Sequence, residues 1–214
     1  MSLITRRIAA LGTLPLAVGA ALALTVSPAS AAPLVPPAPA SNMVISQVST
    51  QGPGGVTDEF VELHNTGPQS MDISNFSVWA CSNSGQHILL ATVPAGTILS
   101  GTEEQQPETG QYYLLAAQGY ERLTPPDQTY NGNIARTGGV LLRGTPNIEN
   151  PMGARVDSVG FSATNICTET APAPAQTTNF SDQSVLRVAD QDTNNNAFDF
   201  RRVAPAMPRN SSSS

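Results

Sequence analysis

The chain has 214 residues and a mass of 22.3 kDa, enough for one domain with a substantial core and too short for several enzyme domains. Only 12% of residues are charged, every basic residue is Arg, and there is no Lys. Without a leader at residues 1–31, which holds Arg6 and Arg7, eight Arg remain against sixteen acids, a net of −8. That balance argues against a binder of phosphate backbones and against a polybasic membrane patch.

Met1 to Ala31 reads as an export signal. Arg6 and Arg7 form a positive start, Ile8 to Val26 is uncharged and mostly apolar, and Ala29-Ser30-Ala31 offers a cleavage site before Ala32. The alternative is an uncleaved anchor, since the apolar run approaches bilayer length; Gly12, Pro15, Gly19 and the cleavage triplet weigh against it. The expected location is therefore extracellular, with no stable membrane insertion after cleavage. Thr5-Arg6-Arg7 resembles a twin-arginine start, although Ala9-Ala10 replaces the bulky apolar pair, so the export route is left open. Residues 32–42 form a Pro-rich linker, stiff and extended. Residues 43–208 form the folded domain, and residues 209–214 read as a disordered polar tail.

Within the domain no apolar 3.6-residue period persists. Runs of mostly four to seven residues rich in Val, Ile, Leu and aromatics recur instead, closed by Gly, Pro, Asn or Ser. In chain order these are 43–48, 59–65, 76–82, 87–93, 97–99, 111–117, 140–143, 155–161, 184–188 and 198–203. In the third, Phe76, Val78 and Ala80 alternate with Ser77, Trp79 and Cys81, a period of two. Short strands with punctuation between them predict an all-β antiparallel sandwich of about 8–10 strands. Val140-Leu141-Leu142 is apolar on both faces and reads as a central strand. The acidic stretch 100–110 and the Pro- and Thr-rich stretch 168–182 read as solvated surface loops.

Cys81 and Cys167 are the only cysteines, and an even count in an exported chain predicts a disulfide. A reactive thiol pair is the alternative, but the spacing is not C-x-x-C and no basic residue flanks either sulfur. Glu62 and His64 lie two apart on one strand, so both point to one face; they read as a surface pair rather than a general base or a metal site. There is no G-x-S-x-G elbow, no phosphate loop and no H-E-x-x-H motif. Asp190 to Asn196 places oxygen side chains at alternate positions, but Asn195 and Arg201 stand where an EF-hand loop needs Gly and Glu. Asp190, Asp192 and Asn194 remain weak calcium candidates; a polar turn stabilised by its own Asx side chains is the competing reading. No cofactor is expected.

Taken in order, Val44-Ile45-Ser46-Gln47-Val48, Asp58 to Asn65 (DEFVELHN) and Met71 to Val78 (MDISNFSV) resemble the opening of a bacterial lamin-tail domain. Val93-Pro94-Ala95-Gly96-Thr97, Gln111 to Leu115, Gly138 to Leu142 and Val156 to Phe161 follow in that family's order, as do Ser184 to Arg187, Asp192 to Phe200, Pro205 and Pro208. The resemblance spans about Met43 to Asn210. His64 departs from it, standing where an aromatic is usual, and so does the acidic loop before Tyr112.

The resemblance implies an immunoglobulin-like sandwich in which Phe60, Val61 and Leu63 are core and Glu59 and Glu62 tie neighbouring backbone amides. It implies no catalytic residues. The expectation is a secreted, non-enzymatic binding or structural module for an unknown protein or glycan at the cell surface. Its contacts are placed on loops around Tyr120, Tyr130 and Asn131 to Asn133, since Tyr and Asn make adaptable contacts. The alternatives are a metal-assisted hydrolase of phosphoesters or glycans, and a nucleic-acid binder by analogy with eukaryotic lamin tails, which conflicts with the acidic balance.

Overall fold

The computed structural model describes residues 41–104, 109–177 and 179–213. The expected signal peptide and most of the Pro-rich linker lie outside the described residues. A six-stranded sheet runs β12 (Phe200–Val203), β11 (Ser184–Arg187), β1 (Met43–Ser49), β2 (Phe60–Asn65), β7 (Tyr112–Ala117), β8 (Gln128–Tyr130). A four-stranded sheet runs β10 (Arg155–Gly160), β9 (Gly139–Arg143), β4 (Ser77–Cys81), β5 (His87–Thr92). All these pairings are antiparallel except β7 with β8. A two-stranded ribbon joins β3 (Met71–Asp72) to β6 (Ile98–Leu99). Among the described residues the helical segments are a short 3-10 turn, Val188–Asp190, and α1 (Asn196–Asp199), and no helix is long and apolar enough to cross a membrane.

The two larger sheets share one core. Val61 and Leu63 of β2 with Tyr113 and Leu115 of β7 meet Val78 and Ala80 of β4 and Val140 and Leu142 of β9, all buried. Each large aliphatic side chain so buried contributes about 1.5–3 kcal/mol. In β1 the inward residues are Met43, Ile45 and Val48, a spacing that strict alternation forbids. A bulge between Ile45 and Gln47 absorbs the extra residue and brings Val48 back to the core face. Gly96, at φ 80°, closes the Pro94-Ala95-Gly96-Thr97 turn in a backbone conformation that disfavours a side chain.

The all-β expectation and the central place of the Val140 strand agree with this architecture, and Cys81 and Cys167 are bonded. Two expectations change. The strands at 71–72 and 128–130 are not expected from sequence: Met71-Asp72 and Gln128-Thr129-Tyr130 hold one large apolar residue each, too little to mark a strand. Residues 209–213, expected as part of a disordered tail, are instead tied down on the outer face of the six-stranded sheet. The Arg209 amide donates to Glu62 Oε2 (2.5 Å), Asn210 Nδ2 to the Pro125 carbonyl (3.0 Å) and the Ser211 amide to Asp127 Oδ2 (3.0 Å). Polarity alone misleads here, because Glu62 and Asp127 need donors that a polar segment supplies.

Candidate functional site

The outer face of the four-stranded sheet carries the candidate site. Along β4, Val78 and Ala80 enter the core, so Ser77, Trp79 and Cys81 point outward. Trp79 packs on Cys81, Leu141 and Cys167, a small apolar cluster separate from the main core. It lies between Leu141 of β9 and Leu89 of β5 in the strand register, and Leu89 is 46% exposed. The indole Nε1–H donates to Ser77 Oγ (2.8 Å), which holds the ring in place. Above it the 144–154 loop folds back, anchored by the Thr145 hydroxyl donating to the Ser74 carbonyl (2.7 Å) and stiffened by Pro146 and Pro151.

The result is a shallow cleft of about 440 Å³ lined by Trp79, Leu89 and Met152 on its apolar side and by Ser77, Thr92 and Thr145 on its polar side. No charged side chain lines it. An apolar platform with a few hydroxyls and no charge suits a flat, neutral ligand that offers both C–H and O–H groups.

On the outer face of the six-stranded sheet the Glu62 and His64 pair is covered. Glu62 and His64 lie on the outer face of β2, yet both are buried rather than forming a surface pair. Glu62 accepts from Ser46 Oγ (2.7 Å), the Arg209 amide and Arg209 Nη2 (2.8 Å) and makes no bond to His64. His64 stacks on Tyr112 with ring centroids 4.1 Å apart, and its Nδ1 is 3.1 Å from Asp190 Oδ1. The Arg209 guanidinium covers Tyr112 at 3.7 Å, leaving no opening at the pair. Burial raises the Tyr112 hydroxyl above its usual range, and the nearby Arg209 charge opposes this. Near Phe60 a second cleft holds Arg122, whose Nε is bonded to Asp182 (3.2 Å) and whose charge sits 4.8 Å over the Phe60 ring.

The three weak calcium candidates diverge. Asp190 turns to His64, the Asn194 amide donates to Asp192 Oδ1 (3.0 Å) while the Asn194 residue is exposed, and Asp192 is buried on the other side, 3.6 Å from Arg187. Within the run Asp192 and Asn195 accept from the amides of Asn194 and Ala197, and of the three candidates Asp192 alone enters a carboxylate cluster, with Asp157 and Glu169. Of the residues expected to make loop contacts, Tyr130 is buried, and Tyr120 is half-buried, packing edge-on to Phe60 at 6.2 Å with its hydroxyl donating to the Thr124 carbonyl. Asn131 to Asn133 are exposed, but Asn133 is engaged with Glu59 (3.1 Å). Trp79 escaped the sequence reading although the signal was present, since a lone Trp stands on the outward half of a period-two strand.

No family model matches the chain, and none of the curated proteins does. Among solved structures it is similar to a DUF4876 family protein from Bacteroides thetaiotaomicron, at 13% identity and a TM-score of 0.48, covering 80% of this chain and 74% of that chain.

Proposed function

We propose that this protein is a secreted, non-enzymatic binding module of the immunoglobulin-like, lamin-tail type, holding a neutral polysaccharide at or outside the cell surface. One observation carries the reading: the only Trp of the chain is fixed on the outside of a sheet, in an uncharged cleft, on an acidic protein. A sugar ring presents a C–H face to Trp79 and hydroxyls to Ser77, Thr92 and Thr145. The lamin-tail type is supported by the Glu59 to Leu63 segment. Phe60, Val61 and Leu63 are buried, and Glu59 and Glu62 accept from the backbone amides of Ile134 (2.7 Å) and Arg209 (2.5 Å).

Co-sedimentation with washed cell envelopes and insoluble neutral polysaccharides tests the reading. Wild type pellets saturably, Trp79→Ala loses at least about tenfold in affinity, and the fluorescence of the sole indole shifts on binding. Protein left in the supernatant with every polysaccharide, or a Trp79→Ala variant that pellets as well as wild type, overturns the assignment.

A further inference from the structure

Beneath the seam between the two sheets, four carboxylates are buried together: Asp157 on β10, Glu169, Asp192 and Asp199, none more than 8% exposed. Two guanidiniums face them. Arg187 on β11 reaches Asp157 (2.6 Å), Asp199 (3.2 Å) and Asp192 (3.6 Å); Arg155 reaches Glu169 (3.0 Å) from a side chain 44% exposed. With every group ionised the cluster holds four negative and two positive charges. A net of minus two in a water-poor interior requires either protons or a cation.

Asp157 indicates where a cation fits. Its Oδ2 accepts from the Ile45 amide (2.6 Å) and from Arg187 Nη2 (2.6 Å). Its Oδ1 is buried and has no hydrogen-bond partner, a costly state for a carboxylate oxygen. One oxygen from each of Asp157, Glu169 and Asp192 lies within 4.8 Å of the others, a separation that a single ion between them spans. The convergence is built into the fold. A Cβ at Gly160 would stand 2.6 Å from the Thr168 amide nitrogen, so only glycine lets the segment leading to Glu169 approach β10 this closely.

From this geometry we propose that Asp157, Glu169 and Asp192 form a buried structural calcium site, tying β10 to the loops before and after β11. Oxygen donors and two uncompensated negative charges suit a hard divalent ion. Calcium fits an all-protein site better than magnesium, which keeps its waters and demands octahedral geometry. The site is independent of the Trp79 cleft and of the polysaccharide reading.

Because the ligands are buried, the full chain is unfolded in chelator with its disulfide intact and refolded with calcium, with magnesium or with chelator alone. Calcium is expected to raise the unfolding midpoint saturably, by on the order of 5–10 °C at about a hundredfold above its Kd, and magnesium much less. Equilibrium dialysis is expected to find one calcium per chain, with a Kd no weaker than about 1 mM. Asp157→Asn and Asp192→Asn are each expected to abolish both effects, whereas Asp190→Asn, which alters only the side facing His64, keeps them. Should Asp157→Asn fail to fold, Asp192→Asn and the wild-type stoichiometry decide. No calcium effect on wild type overturns the proposal and leaves a shared proton as the neutralising charge. A calcium effect that survives in both Asp157→Asn and Asp192→Asn overturns it as well, by placing the ion elsewhere.

Discussion

Arg187 and Asp157 meet at 2.6 Å with neither side chain exposed to solvent, and between them they join the two sheets. Arg187 Nε also donates to the Ile45 carbonyl (2.9 Å), and its charge lies 4.5 Å over the Phe200 ring, so one guanidinium links β10, β11, β1 and β12. Removing it strands Asp157, Asp192 and Asp199. Arg187→Met is expected to lower stability by about 3–5 kcal/mol in urea titrations. Pairing it with Asp157→Leu is expected to recover part of the loss, because the double variant no longer buries the Asp157 charge. Single and double variants of equal stability would refute the coupling.

Glu59 makes its own contribution to the pH dependence. Burial pushes its carboxyl up to about 8, against the lowering effect of the Ile134 amide and Asn133 that bond it. Between the ordinary glutamate range near 4.5 and about 8, the folded protein therefore binds a proton that the unfolded chain has released. The contribution of Glu59 to stability is expected to be fully present below that window and to be lost as pH rises through it, by at most about 1.4 kcal/mol per pH unit for this one proton. Thermal unfolding across this range shows the slope, and Glu59→Gln is expected to make it shallower. A slope unchanged in Glu59→Gln assigns the proton to another group.

Arg209 holds the C-terminal segment against the six-stranded sheet. Its guanidinium donates to Glu62 Oε1 (2.8 Å) and to the Tyr112 hydroxyl (2.6 Å), and Glu62 has no solvent exposure. Arg209→Ala is expected to cost about 2–3 kcal/mol, since it leaves a buried carboxylate short of donors. Hydrogen exchange should show amides at 209–213 losing protection first. Unchanged protection there would mean that the contacts of Asn210 with Pro125 and of Ser211 with Asp127 and Gly110 suffice to hold the segment.

The Cys81–Cys167 bond closes a loop of 86 residues in sequence separation. Its removal by a double Cys→Ser substitution is expected to destabilise the fold by up to about 4–5 kcal/mol on the chain-entropy estimate. Because Trp79 packs on this sulfur cluster, the same variant should red-shift the indole emission. A variant with native stability and emission would remove the bond from the forces holding the Trp79 face.

Alternation, turn residues and cysteine parity are properties of short stretches of chain. From them the all-β class, the inward and outward halves of β4 and the cysteine pairing were legible without coordinates. The burial of Phe60, Val61 and Leu63 followed the motif as well. The same local signals placed Glu62 and His64 on one face, but not the C-terminal segment that covers them. They marked Asp190, Asp192 and Asn194 as neighbours in sequence, yet these three diverge in space. Asp192 accepts from the Asn194 amide and faces inward to Asp157 and Glu169, whereas Asp190 turns away to His64.

Asp157, Glu169 and Asp192 come from a strand and two separate loops, and nothing in their spacing announces a shared site. Their meeting depends on the order of strands in two sheets, on the register of β10 against β9 and on the close approach that Gly160 permits. Likewise Trp79 is outward by alternation, while its cleft exists because a loop sixty-odd residues later folds back over β4. Side chains far apart in the chain meet through sheet order and packing distance, and no single segment carries either quantity.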